Sequence, residues 1–387
     1  MQMNQKGSTY RGKFGQFGGC YAAESQVGFL DELNEVFHMA IMDKGFWSDF
    51  WELFPSHSVP FQYAAGLTRQ AGGAKIWLKR EDLCHSGSQN EYNIVGQVLL
   101  ARRMKRTEII TECGSAKHGI ACAAFCASLQ MGCTIFIGAH DATSQYKAVQ
   151  KMTHFGALVN VVGNSSESLR AAISEAFRTA TTQFDTAYYI PSCPIGPHPY
   201  PLIFRTFQSF IGEEVLSQVE ESCSKLPSAI VASVGGNGAG LGLFYPFIRY
   251  PSIALVGVES AKAAAITHGS LGVFHGMCTN ILQDGNGQIR LSNSASPDLN
   301  YPGVGPELAN WASQGWMECV AVDEEAAPRG VERLRQQEGI AAGLDTGFAV
   351  EEAVLRAGKL NEEEIVVLLV TGQNFVDPSV LRREDRK

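Results

Sequence analysis

Three short stretches carry residue types that can do chemistry: ECGSAKHG (Glu112 to Gly119), GGNGAG (Gly235 to Gly240) and KREDLCHSGSQNEYN (Lys79 to Asn93). In the first, Glu112 closes an apolar run and can serve as a general acid or base once burial raises its pKa. A lone glutamate in such a place is more often solvated or paired. The backbone of Cys113, Gly114, Ser115, Ala116, Lys117 and His118 can hold a carboxylate, as amides at the start of a helix do. In the second, Gly235, Gly236, Asn237 and Gly238 let several N–H groups converge on one anion. The helix expected over LGLFYPFI adds a favourable field, so phosphate or carboxylate fits. The same spacing also serves as a tight strand-to-helix turn with no ligand. In the third, a desolvated lysine would suit imine chemistry, yet no lysine lies between Arg80 and Met104.

Short β-branched runs must position these stretches: KIWLK (75–79), TEIIT (107–111), CTIFIG (133–138), ALVNVV (157–162), SAIVASV (228–234), IALVGVE (253–259) and EIVVLLV (364–370). They alternate with helical stretches, which predicts an α/β fold of mainly parallel sheets flanked by helices. One helix is expected over 144–155, and a serine ahead of Glu167 marks the start of another. In such sheets ligands bind beyond the carboxyl ends of the strands. The turns after TEIIT, SAIVASV and EIVVLLV are therefore where a site should form.

At 387 residues, 45% hydrophobic and 18% charged, the chain can bury two cores of about 150 to 200 residues each. A net charge of -8 and the lack of a basic run speak against nucleic acid and acidic membrane surfaces. The start MQMNQKGSTYRGKFGQFGG is polar and Gly-rich, and no later run has the length of a membrane span, so a cytoplasmic location is expected. The ten cysteines include no Cys-x-x-Cys pair. Cys122 and Cys126 lie in a small-residue stretch, HGIACAAFCASL, that suits helix packing better than ligation, so no metal is expected.

Longer motifs make a resemblance specific. GKFGQFGGCYAAE, KREDLCHSGSQNEYN, ECGSAKHG, GPHPYPLIFRTFQSFIGEE, HGMCTNILQDGNGQI and LNYPGVGPE are similar to blocks of the tryptophan synthase β subunit family, and the similarity runs over nearly the whole chain. The resemblance implies the two-domain, fold type II architecture of pyridoxal phosphate enzymes. A smaller unit at 51–204 would sit against a larger one built from 1–50 and 205–387, with the cofactor between them. It also implies a β dimer and indole delivered from an α subunit.

The same resemblance implies roles that this chain keeps only in part. The family's Schiff-base lysine aligns with Asn90, and the histidine before it with Gln89. A carboxamide nitrogen has no basic lone pair with which to form an imine. The family's phosphate loop, Gly-Gly-Gly-Ser-Asn-Ala, here reads Gly235 to Gly240 as GGNGAG. Thr371 stands where a serine faces the pyridine nitrogen, and Asp345 replaces a nearby glutamate. The family's closing Arg–Asp pair aligns with Ser144 and Asn300, which predicts a neutral lid; losing both members avoids burying one unpaired charge. Lys117 replaces a glutamine and Ala116 a glycine, putting a cation in the carboxylate loop, while Glu112 keeps the place of the family's acid/base glutamate.

These substitutions lead to an expectation of an enzyme without a cofactor. Glu112 would run acid/base chemistry (cyclisation, condensation or C3 functionalisation) on a small indole- or tryptophan-derived molecule. Gln89, Asn90, residues 113–118, Asn300 and Asp345 would hold that substrate. Covalent attachment of pyridoxal phosphate is not expected, and its non-covalent binding is left open. One alternative is a silent homologue that regulates an α-like or β partner, with Arg170 in place of the family's partner-contacting lysine. Another is pyridoxal phosphate chemistry through Lys117.

Overall fold

The structure is a computed structural model that describes residues 12–54, 58–163, 168–223, 225–236 and 238–372. Ten strands form the two main sheets: β1 (Phe61–Tyr63), β2 (Lys75–Arg80), β3 (Glu108–Cys113), β4 (Gly132–Gly138), β5 (Leu158–Val162), β6 (Ala187–Ile190), β7 (Ala229–Ser233), β8 (Ala254–Ser260), β9 (Glu318–Val322) and β10 (Ile365–Val370). The larger sheet has the order β9-β8-β7-β10-β2-β1 and the smaller one β5-β4-β3-β6. All pairings in both are parallel except that of β1 with β2. A further four-stranded antiparallel sheet joins Lys13–Phe14 and Phe17–Gly18 to the hairpin Ser270–Phe274 and Met277–Ile281.

The expected α/β class holds, and all seven expected strands are present. β7 and β10 are buried at every residue, as parallel strands covered on both faces must be. Strands β1 and β6 were not legible, since three or four residues carry too few positions for a period to show; β9 and the two hairpin strands, of five residues each, also went unread. The helix expected over 144–155 is instead two, Ala139–Ser144 and Tyr146–His154, meeting at Gln145. The helix start ahead of Glu167 lies outside the described residues. Residues 61–63 and 75–80, expected with the smaller unit at 51–204, hydrogen-bond into the larger sheet. The smaller sheet draws its strands from 108–190.

Helix α1 (Glu91–Arg103) is buried almost all round and runs through the core. Helix α2 (Ala116–Ser128) is rich in Ala, Gly and Cys, so neighbouring groups come close: a Cβ on Gly119 would lie 2.7 Å from Met152 Cε. Helix α3 (Ala239–Phe244) follows β7, and α4 (Leu344–Ala357) packs on the larger sheet. Because β3, β7 and β10 are each followed by a turn at the carboxyl end, the fold brings those turns to the space between the two sheets.

Candidate active site

Two of those turns meet at one cavity, lined by Gln89 and Asn90 from the start of α1, Gly114 and Ser115 from the turn after β3, Lys117 and His118 from the first turn of α2, Gly236 from the turn after β7, and Asp298; the turn after β10 reaches it through Gly372 O, which accepts from Lys117 Nζ. Its empty space is about 310 Å³.

Asn90 is held by a chain of hydrogen bonds that fixes its orientation. Thr111 Oγ1 donates to Ile190 O at 2.7 Å, so it accepts from His118 Nε2 at 2.9 Å. That leaves His118 Nδ1 as an acceptor, 3.4 Å from Asn90 Nδ2. Burial lowers the His118 pKa to about 3, consistent with a neutral ring. Asn90 Nδ2 also donates to Ser192 O at 2.7 Å. A carbonyl only accepts, so the nitrogen must face it, and Asn90 Oδ1 is left buried without a partner. Gln89 Oε1 and Ser115 Oγ on the same wall are likewise unpartnered.

Lys117 is also buried. Its Nζ lies 2.8 Å from Asp298 Oδ2, 3.1 Å from Gly372 O and 4.0 Å from Asp345 Oδ1. Burial works against its charge, but the carboxylates of Asp298 and Asp345 outweigh it and raise the pKa above the ordinary lysine value. Two expectations are corrected here. The lid is not neutral, since Asp298, two residues before Asn300, closes onto Lys117. Nor is Lys117 a spare cation for a substrate anion, because its charge is already paired. Ser144 Oγ turns back to Asp141 O, and Asn300 Oδ1 accepts from Ser294 N at 3.3 Å. Neither has a hydrogen bond to the other.

The 113–118 segment is less open than expected. Gln145 clamps it, accepting from Ala116 N at 2.9 Å and donating to Gly114 O at 2.8 Å. The Ala116 amide is therefore taken, and Cys113 and Ala116 are fully buried. Glu112 sits one layer behind the wall. Its Oε1 accepts from Ser192 N and Ser192 Oγ, each at 2.8 Å, and Ser192 rather than Glu112 faces the cavity. Burial pushes the Glu112 carboxyl up, against the hydrogen bonds from Ser192 that pull it down.

Thr371 Oγ1 donates to Asp345 Oδ2 at 2.7 Å and lies 2.8 Å from Thr346 Oγ1. Asn237 lies outside the described residues. Gly235 has a φ of +142°, which disfavours any side chain. A Cβ on Gly236 would lie 2.8 Å from Asp298 O, and one on Gly238 would strike the Phe204 ring. Asp298, Ser192 and Gln145 went unread in the sequence. Asp298 alone had a signal there, as an acid beside the lid position that answers the new charge of Lys117.

Residues 57–372 match the family model described as pyridoxal-phosphate dependent enzyme. The chain belongs to that family. It is 42% identical over 376 residues to the tryptophan synthase of Saccharomyces cerevisiae, covering 94% of this chain and 53% of that protein. The chain thus spans about half the length of that curated relative. A fungal L-serine ammonia-lyase from Rhizomucor miehei has the same fold, with a TM-score of 0.66 at 19% identity over 85% of this chain and 98% of that one.

The family corrects the expectation of no cofactor, which was drawn from Asn90, Gln89 and the altered glycine loop: pyridoxal phosphate is the expected group. The cavity carries groups that fit it. The backbone of Gly236 borders the cavity, where Gln89 Oε1 and Ser115 Oγ are buried without partners, and the Thr371 hydroxyl is anchored beside the cleft by Asp345. Among the described residues, Lys117 is the only amine on the cavity wall. To act as an amine, Lys117 would have to give up its contacts with Asp298 and Gly372 O.

Proposed function

We propose that this chain is a pyridoxal phosphate enzyme of the tryptophan synthase kind, acting on a small indole- or amino-acid-type substrate, with Lys117 serving as the amine that Asn90 cannot be. The observation that carries this reading is the position of Lys117 as the single amine on the cavity wall among the described residues. When bound, pyridoxal phosphate supplies an electron sink for the carbon beside a substrate nitrogen. Backbone groups of Gly235, Gly236 and Gly238 would hold its phosphate, and Thr371 its ring nitrogen. Asp298 Oδ2, 2.8 Å from Lys117 Nζ, is placed to take the proton that Lys117 must lose before acting as a nucleophile. Glu112 positions Ser192 on the wall and is a proton reserve behind it.

The test is borohydride reduction after incubation with pyridoxal phosphate, followed by intact mass and peptide mapping. An adduct on the peptide containing Lys117, absent from Lys117→Gln, is expected. Identical labelling of the two proteins would remove Lys117 from this role.

A surface groove lined by Arg170, Ser174, Glu175, Arg178 and Phe274 supports a second reading, in which this face docks an α-like subunit on a homodimer. Coelution with such a subunit is the expected result. A protein that neither binds one nor changes its rate would end that reading.

A further inference from the structure

The loop 294–300 brings Asp298 to the cavity wall, and its own hydrogen bonds make it one piece. Ser294 N donates to Asn300 Oδ1 at 3.3 Å, tying the ends together, while Ser296 N donates to Ser294 Oγ at 3.2 Å and Leu299 N to Ser296 O at 3.1 Å. The loop lies on glycines from the turns of both sheets: a Cβ on Gly114 would meet Pro297 O at 2.8 Å, and one on Gly236 would meet Asp298 O at the same distance. A loop stitched to itself moves as a unit, so the contacts that lead out of it decide where it rests.

Among the described residues, two polar contacts lead out. One is Asp298 on Lys117. The other is Ala295 on Glu324, a residue half-buried between β9 and the helix Ala326–Glu338. Glu324 Oε2 accepts from Ala295 N at 2.7 Å; its Oε1 accepts from Ser260 Oγ at the end of β8 and, at 3.4 Å, from Lys262 N. An acid just before a helix commonly serves that helix's own amides. Glu324 instead turns both oxygens to segments 29 to 64 residues away, and hydrogen bonds to a carboxylate are roughly twice as strong as neutral ones. Beside it, Asn293 N reaches Lys262 O at 3.4 Å, a longer and neutral bond. Glu324 therefore anchors the first half of the loop to the larger sheet.

We propose that Glu324 is a positioning residue for the cavity: through Ala295 N it latches the loop 294–300 against the two glycine turns, and release of that latch is the motion that uncovers Lys117. This rests on the cavity being the active site, as read above, but its test needs neither cofactor nor substrate.

The experiment is labelling of the folded full chain with trinitrobenzenesulfonate, which takes any uncharged amine it can reach, followed by peptide mapping over time. Lys79, fully buried and held by Glu214 and Val59 O away from the loop, is the internal control. Glu324→Ala should be labelled at Lys117 faster than wild type by about tenfold or more, with Lys79 unchanged. Glu324→Gln keeps an oxygen for Ala295 N and should stay near the wild-type rate. An unchanged Lys117 rate in Glu324→Ala overturns the proposal. So does an equal rise at Lys79, which would make Glu324 a support of the whole fold, and so does Glu324→Gln labelling as fast as Glu324→Ala. If Glu324→Ala is recovered unfolded, amide exchange of the wild-type chain decides: Ala295 and Leu299 opening together, and more readily than β7, supports the latch, whereas Ala295 protected as well as β7 overturns it. The expected labelling pattern without any pyridoxal adduct on Lys117 would sink the cofactor role of that lysine and keep the latch.

Discussion

At the scale of single residues, charge bookkeeping separates groups that act from groups that hold. Lys79 is fully buried and meets Glu214, Val59 O and Gln218, while Glu81 lies 3.7 Å from its Nζ with neither carboxyl oxygen hydrogen-bonded. One carboxylate neutralises the lysine, so the second is surplus. Burial above all raises the Glu81 pKa to about 8, with Lys79 pulling the other way. A folded-state pKa above the unfolded value means that this group's contribution to stability is full below about pH 4.5 and is lost as pH rises towards 8. Glu81→Gln stays neutral throughout. It should therefore flatten the fall in stability across that window and gain on the wild type by a few kcal/mol at its alkaline end. Denaturant melts at pH 5 and pH 8.5 check this; parallel curves for the two proteins would show that Glu81 is ionised in the fold.

At the scale of elements, the glycine turn after β7 has two tasks that the sequence shows as one motif. Gly236 lets the turn approach Asp298, and Gly238 lets α3 begin against Phe204, whose ring atoms a Cβ would meet at 1.9 and 2.2 Å. The second task is packing and needs no ligand. Gly238→Ala should cost about 1–3 kcal/mol through displacement of the buried Phe204 ring. Chemical denaturation should show this as a lower midpoint, and adding Phe204→Leu should return part of it. An unchanged midpoint would mean that the turn yields easily and that the glycine is kept for the anion alone.

At the scale of the whole molecule, Lys117 is a clasp between the two sheets. It stands on α2, which follows a strand of the smaller sheet, and meets Gly372 O just past β10 of the larger one. Breaking a buried pair by removing one partner commonly costs about 3–5 kcal/mol. Lys117→Met should therefore open the cleft more than it unfolds either sheet. Amide exchange over 114–118 and 298–301 is expected to accelerate by about tenfold or more, while that of β7 and β10 stays slow. Equal acceleration everywhere would mean that the clasp stabilises the entire fold rather than one arrangement of its halves.

The sequence by itself determined the α/β class, seven of the ten strands of the two main sheets, the turns after β3 and β7 that line the cavity and the one after β10 beside it, and the absence of a lysine at Asn90. These are local properties: runs of buried residues, glycine spacing and a side chain's intrinsic chemistry are the same wherever the chain places them. Tertiary structure alone decided that Glu112 stands behind Ser192, that Gln145 occupies the Ala116 amide, and that Asp298 and Asp345 claim the Lys117 ammonium. Each of these joins residues at least 29 positions apart. Whether a buried charge is free or paired depends on what the fold sets within a few ångströms of it, and neither composition nor spacing along the chain contains that distance.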